Sequence, residues 1–164
     1  MIQRIQTVLL LVIAILMAMM PFTNIWGELN PDNDQLRLLS GFKLEVIDTK
    51  GTLNDPTDDV VITTQSTWYI GSLAFLASIV AFLSIFSFKN RLTQMKLGAL
   101  NALIMAATLG ISFFTIYQNE PLIDGQGSIT TGFYLPAGAM ILNILANRFI
   151  RKDEKLVKSV DRLR

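Results

Sequence analysis

The stretch VVITTQSTWYIGSLAFLASIVAFLSIFSF, residues 60–88, carries no charged side chain over 29 positions. Its first five residues are all β-branched, the composition of a short strand. The remainder is apolar for about the 20 residues a helix needs to cross a bilayer core. One such run is also what a buried helix of a soluble protein looks like. The rest of the chain decides between the two. Residues 5–27, 97–119 and 125–147 are each charge-free over 23 positions. Four runs of this kind in 164 residues leave little chain for a water-soluble surface. The expectation is therefore an all-α membrane protein: a single domain, 1–164, built as a four-transmembrane-helix bundle. Its spans fall at about 5–27, 66–88, 95–117 and 131–150. They are joined by an outer loop at 28–65 with a small β-hairpin-like character, and are followed by a cytoplasmic amphipathic helix at 151–164.

The charges sort by side. Alternate connections place Arg4, then Lys89, Arg91 and Lys96, then the seven bases from Arg148 onward on one face, which makes 11 of the 14 Lys and Arg. The opposite face receives 10 of the 13 acids and three bases. Lys and Arg near span ends are retained in the cytoplasm, so both termini are expected inside and the two acidic connections outside. A cleaved signal peptide is the competing reading of the first span. "MIQR" before "VLLLVIAILMAMM" fits its start, but "PFTNIWGELN" offers no small-residue cleavage site. That span is weakest in its last third, where Pro21, Thr23 and Asn24 gather. Trp26, Trp68, Tyr69, Tyr117, Phe133 and Tyr134 fall at the outer boundaries, as an interfacial aromatic belt does.

The outer loop reads as strand. In "LRLLSGFKLEV", residues 36–46, the alternation puts Leu36, Leu38, Phe42, Leu44 and Val46 on one face. "DTKG" at 48–51 and "NDPTDD" at 54–59 are turn chemistry. Two or three short strands are expected, resting on the outer ends of the helices, since a lone hairpin is marginal in water. The acids Asp32, Asp34, Asp55, Asp58 and Asp59 do not follow the spacing of a calcium loop and read as solvated turn residues. Pro136 sets a choice for the last span. Its helix either starts near Leu135, with the proline in the first turn, or runs from about Ile129 with a kink.

Small residues govern how helices approach one another in lipid. In the third span Gly98, Ala102, Ala106 and Gly110 recur every four positions and are expected to form the central packing surface. Gly132, Ala139 and Ala146 recur every seven in the fourth span. The amides Asn101, Asn143 and Asn147 lie on the cytoplasmic half and are expected to bond between helices. The sharper alternative makes them the lining of a path for a solute.

The chain has neither cysteine nor histidine. Disulfides, thiol chemistry, and the usual haem and metal ligands are excluded with them. No charged residue lies within a span, where pumps and proton relays place theirs. No catalytic residue, metal ion or cofactor is expected. Glu120 and Asp124 share a short outer connection, but no nucleophile accompanies them.

That leaves the tail "RKDEKLVKSVDRLR", residues 151–164, in which nine of fourteen positions are charged. Leu156, Val160 and Leu163 recur at helical spacing with Val157 beside them. Glu154 and Lys158 are set for an i,i+4 pair. Mixed signs exclude a nucleic-acid patch, which gains from uniform positive charge. They weaken a lipid-surface helix and favour docking on protein. The residues expected to dock are Gln3, Arg4, Arg151, Lys152, Asp153, Glu154, Lys155, Leu156, Val160 and Leu163.

The opening "MIQRIQTVLLLVIAILM" and the ending "IRKDEKLVKSVDRLR" resemble the two ends of a family of small four-span inner-membrane proteins of the Bacteroidetes, catalogued as a domain of unknown function. The resemblance implies a bacterial inner membrane and four helices, and brings no activity with it. The functional expectation is a non-catalytic structural or accessory subunit of a larger membrane protein complex, in contact with membrane lipid and docking through its cytoplasmic ends. The alternative is a small transporter or channel for a neutral or lipidic solute.

Overall fold

The computed structural model describes residues 2–30, 35–50, 59–119 and 127–161. Four helices carry the chain: α1 (Ile2–Met19), α2 (Trp68–Phe86), α3 (Arg91–Asn119) and α4 (Thr131–Asp161). All four are long and apolar enough to cross a membrane; the first counts from Ile5 through a closing 3-10 turn to Phe22. Each helix packs on its sequence neighbour, and α4 returns to α1 to close the ring.

The buried positions explain why the helices pack this way. One buried line runs along Gln6, Leu10, Ile13 and Met17 of α1 to Met20 in the turn that follows, and along Ile70, Ala74, Ala77, Ala81 and Ser84 of α2, with Ala14, Gly71 and Val80 buried beside it. On α3 the line is Gln94, Gly98, Asn101, Met105, Thr108, Ser112 and Thr115, with Ile116 beside it. On α4 it is Gly132, Pro136, Ala139, Asn143, Ala146 and Ile150. Every line steps by four, three, four, three. That is the 3.5-residue period of a coiled-coil seam, on which helices cross at a shallow angle and interdigitate. Alanine on α2 and α4 faces the larger Leu10, Ile13 and Met17 of α1, so small meets large across the core. Ser78 donates its hydroxyl to the backbone oxygen of Ala14 at 2.7 Å and so fastens α2 to α1.

The all-α expectation is overturned by the strands. β1 (Trp26–Asn30), β2 (Gln35–Leu39), β3 (Lys43–Asp48), β4 (Val60–Ser66) and β5 (Gly127–Ile129) form one antiparallel sheet in the order β4-β3-β2-β1-β5. The protein is mixed α/β. Two strands account for the difference. β1 straddles the expected end of the first span and the start of the outer loop. β5 is three residues long and comes from the second outer connection. It pairs with β1 through Trp26 opposite Ile129 and Glu28 opposite Gly127. Neither has enough residues to show a strand period, and β5 exists only because β1 offers it a template.

The alternation in residues 36–46 also divides differently. Residues directly opposite in an antiparallel ladder share a face. Leu39 lies opposite Leu44 and Arg37 opposite Val46, while Leu38 lies opposite Glu45 and Leu36 opposite Ile47. Leu36 and Leu38 therefore point away from Leu44 and Val46. The three-residue loop Ser40–Phe42 reverses the face that the unbroken alternation implies. The face holding Trp26, Glu28, Leu39 and Leu44 is buried on the bundle. Beyond β3 the sheet overhangs, and all seven residues of β4 are exposed.

Backbone contact joins sheet to helices. The Gly71 N–H donates to the Gly41 oxygen at 2.8 Å, the Gly41 N–H to the Pro21 oxygen at 3.2 Å, and the Gly132 N–H to the Asn24 oxygen at 2.8 Å. A side chain on Gly71 would meet the Phe42 ring at 2.5 Å, so only glycine permits this approach. Phe22, Phe42 and Phe75 meet beside it with ring centroids 5.8 to 6.0 Å apart. Helix α4 begins at Thr131, so Pro136 stands inside it rather than in its first turn.

Candidate functional site

At the end of the bundle away from the sheet, α4 outruns its neighbours. Ile150 is its last core residue, and residues 151–161 continue as helix for about 16 Å. Arg91, the first residue of α3, holds the base of this extension. Its Nη2 lies 3.0 Å from Asp153 Oδ2, and its Nη1 donates to the Asp153 backbone oxygen at 2.7 Å. A planar guanidinium that engages one residue at two points fixes angle as well as distance. Asn90 shapes the approach by accepting the Thr93 N–H on its side-chain oxygen at 3.2 Å, so that α3 is capped where Arg91 leaves it.

This contact sorts the tail's charges. Asp153 turns inward to Arg91. Arg151, Lys152 and Lys155 are exposed, and Glu154 is half-buried. Leu156 and Val157 are each close to half exposed, about 100° and 200° round the helix from Lys155. Of the other residues expected to dock, Gln3 and Arg4 belong to α1 and Val160 to α4; the side chains of all three, and Leu163 altogether, lie outside the described residues. So do Asp32, Asp34, Asp55, Asp58, Glu120, Asp124 and the turn residues 51 and 54–58. Of the loop acids, Asp59 is described, and it is exposed.

A cavity of about 580 Å³ opens along the same helix, bordered by Ile144, Asn147, Arg148, Arg151, Lys152 and Lys155. Asn147 and Arg148 were not among the residues expected to act in the tail. The signal for them is present in the sequence, since positions 144, 148, 151, 152 and 155 follow helical spacing on one face.

Inside the bundle, Asn143 donates its amide to the Gly98 backbone oxygen at 2.8 Å. Asn147 occupies the space that a side chain on Gly98 would fill. Asn101 is 1% exposed, and neither of its amide atoms has a hydrogen-bond partner among the described residues. Thr108 and Thr115 satisfy their hydroxyls on the backbone oxygens of Ile104 and Ile111, both at 2.9 Å. Of the small-residue line, Gly98 is buried, Ala102 half-buried, and Ala106 and Gly110 exposed. Nothing lies within 4 Å of where a Gly110 side chain would start. The cause is geometric. A strict four-residue step turns about 40° further than a full circle each time, so Gly110 stands about 120° from Gly98. The 3.5-residue seam leaves the line after its first member.

At the sheet end, Glu28 is buried opposite Arg37, whose Nη1 lies 3.7 Å from Glu28 Oε2 and donates to the Asn119 backbone oxygen at 3.1 Å. That cation sits on the last carbonyls of α3, the negative end of the helix dipole. A smaller cavity of about 320 Å³ lies elsewhere at this end, with Pro21, Phe22, Phe42 and Lys43 among its walls.

The sequence matches the family described as Domain of unknown function (DUF4293) over residues 2–163. The match covers nearly the whole chain, and the protein belongs to this family. No curated protein matches the sequence.

Proposed function

Taking membership of that family as the premise, we propose that the protein is a non-catalytic accessory subunit of a larger assembly in a bacterial inner membrane. It crosses the membrane four times with both termini in the cytoplasm and the sheet outside, and it docks its partner through the extension of α4. One observation carries this reading: α4 runs on as helix over residues 151–161, braced by the Arg91–Asp153 contact, with Arg151, Lys152, Lys155, Leu156 and Val157 exposed. A helix in water keeps its form when a partner or a brace supports it, because short isolated helices are marginal. Leu156 and Val157 give that helix apolar surface to bury, and Glu154 and Lys155 flank it with charge of both signs.

The transporter alternative needs a path. Asn101, Asn143 and Asn147 would have to line it, yet Asn101 and Asn143 are closed off in the bundle core and Asn147 packs against Gly98. Apolar side chains, among them Leu10, Ile13, Ile70 and Met105, fill other core positions.

Extraction in a mild detergent after crosslinking from a photoreactive residue at position 157 tests the reading. The expected result is a discrete crosslinked species with a second membrane protein, lost on Leu156→Glu. A protein that extracts as a lone monomer with no crosslinked partner overturns it.

A further inference from the structure

Four bases border the cavity on α4: Arg148, Arg151, Lys152 and Lys155. They fall within about 10 Å of helix, with Arg148 three and four positions from Arg151 and Lys152, and Lys155 four and three positions beyond them, so like charges stand close together. None of the four has an ion-pair partner among the described residues. Of the two acids between them in sequence, Asp153 is engaged by Arg91 and Glu154 is half-buried. A concave face with uncompensated positive charge is a site for an anion.

The cavity's position says which anion. Its apolar wall is Ile144, which is exposed along with Ile141 and Leu145 on α4. Its bases begin at Arg148, within a turn of the last core residue, Ile150. The site therefore straddles the boundary where hydrocarbon gives way to water. A free anion would use the bases but not the isoleucine; a phospholipid uses both. At about 580 Å³ the space lies within the usual range of small-ligand sites.

The geometry points to a binding site for one anionic phospholipid, held by its phosphate between Arg148, Arg151, Lys152 and Lys155 with an acyl chain against Ile144. This rests on the membrane reading above. Bases near the inner face of a membrane attract anionic headgroups, so the site also belongs on the side assigned to the cytoplasm. The lipid face and the Leu156 and Val157 surface are distinct, and the tail can hold lipid and partner together.

Native mass spectrometry of the purified chain, with dioleoyl-phosphatidylglycerol or dioleoyl-phosphatidylcholine added to the micelles, tests the site. The expected result is one tightly retained phosphatidylglycerol and no comparable retention of phosphatidylcholine. Arg148→Gln with Arg151→Gln weakens retention by roughly 30-fold, and adding Lys152→Gln and Lys155→Gln abolishes it. Removing equal charge at the sheet end, with Lys43→Gln and Lys50→Gln, leaves the preference intact and shows that net charge is not the cause. Circular dichroism confirms that the variants remain helical. Equal retention of the two lipids, or equal loss in the sheet-end variant, overturns the site. Displacement of phosphatidylglycerol by millimolar inorganic phosphate makes it a phosphate site and overturns the lipid assignment. A chain found in the soluble fraction of cells refutes the membrane reading itself, whereas a membrane-integrated chain that takes up both lipids alike refutes the site alone.

Discussion

At the sheet end of the bundle, Gly41, Gly71 and Gly132 bring backbone onto backbone, and Arg37 closes the end of α3. At the other end, one guanidinium holds the base of a helix that then stands exposed. The first end distributes its strength over many short hydrogen bonds between segments far apart in sequence. The second concentrates it in Arg91 and Asp153 and leaves the following turns open. An end built like the first resists change and presents a fixed surface. An end built like the second leaves side chains available to other molecules.

Substitution at the sheet junction gives the largest effect. Gly71→Leu forces a side chain into Phe42 and the Gly41 backbone and is expected to cost about 3 kcal/mol or more of stability, read by thermal unfolding in detergent. Gly110→Leu, placed where nothing lies within 4 Å, is expected to change the same midpoint little. Equal effects at the two glycines break the contrast between a tight junction and an open helix face.

At the opposite end, Arg91→Gln removes a charge-assisted contact and is expected to cost about 1.5–3 kcal/mol. Hydrogen exchange should rise in residues 151–161 while the strands stay protected. Exchange that rises equally in the sheet contradicts the independence of the two ends.

The same distinction between local and long-range causes decides how much of the molecule is legible in its sequence. The four helices are legible because lipid-length apolar runs need no partner to be recognised. β3 and β4 lie within the segment that reads as strand, since β-branched and alternating residues declare themselves locally. β5 does not, because Gly127–Ile129 becomes a strand only when β1 is beside it. Leu36 and Leu38 mislead because Ser40–Phe42 turns the chain over between them and Leu44. The small-residue line on α3 marks one close approach, Gly98, whereas the seam follows the 3.5-residue period through Asn101, Met105 and Thr108. The charges of the tail are all in view, but the inward turn of Asp153 depends on Arg91, 62 positions earlier.

Between the two ends, Asn101 sharpens the comparison from the middle of the bundle. Its amide is buried and has no hydrogen-bond partner among the described residues, so Asn101→Leu is expected to raise stability by about 1 kcal/mol. A fall of that size instead identifies a partner for the amide, such as an internal water. The smallest effect on folding belongs to the overhanging strand. Ile62 is the extra residue where β4 slips register against β3 and is about half exposed. Ile62→Lys is expected to shift stability by no more than about 0.5 kcal/mol while reducing self-association through the open edge, measured by light scattering. A large loss of stability contradicts the overhang.

The proposed topology places the two ends on opposite sides of a membrane, and the absence of cysteine from the chain makes that directly measurable. Single substitutions Thr64→Cys on β4 and Lys155→Cys on the α4 extension are treated in spheroplasts with a membrane-impermeant maleimide. Labelling is predicted at position 64 in intact spheroplasts, and at position 155 only after the membrane is opened. Labelling at 155 in intact spheroplasts, alone or together with 64, contradicts the assignment.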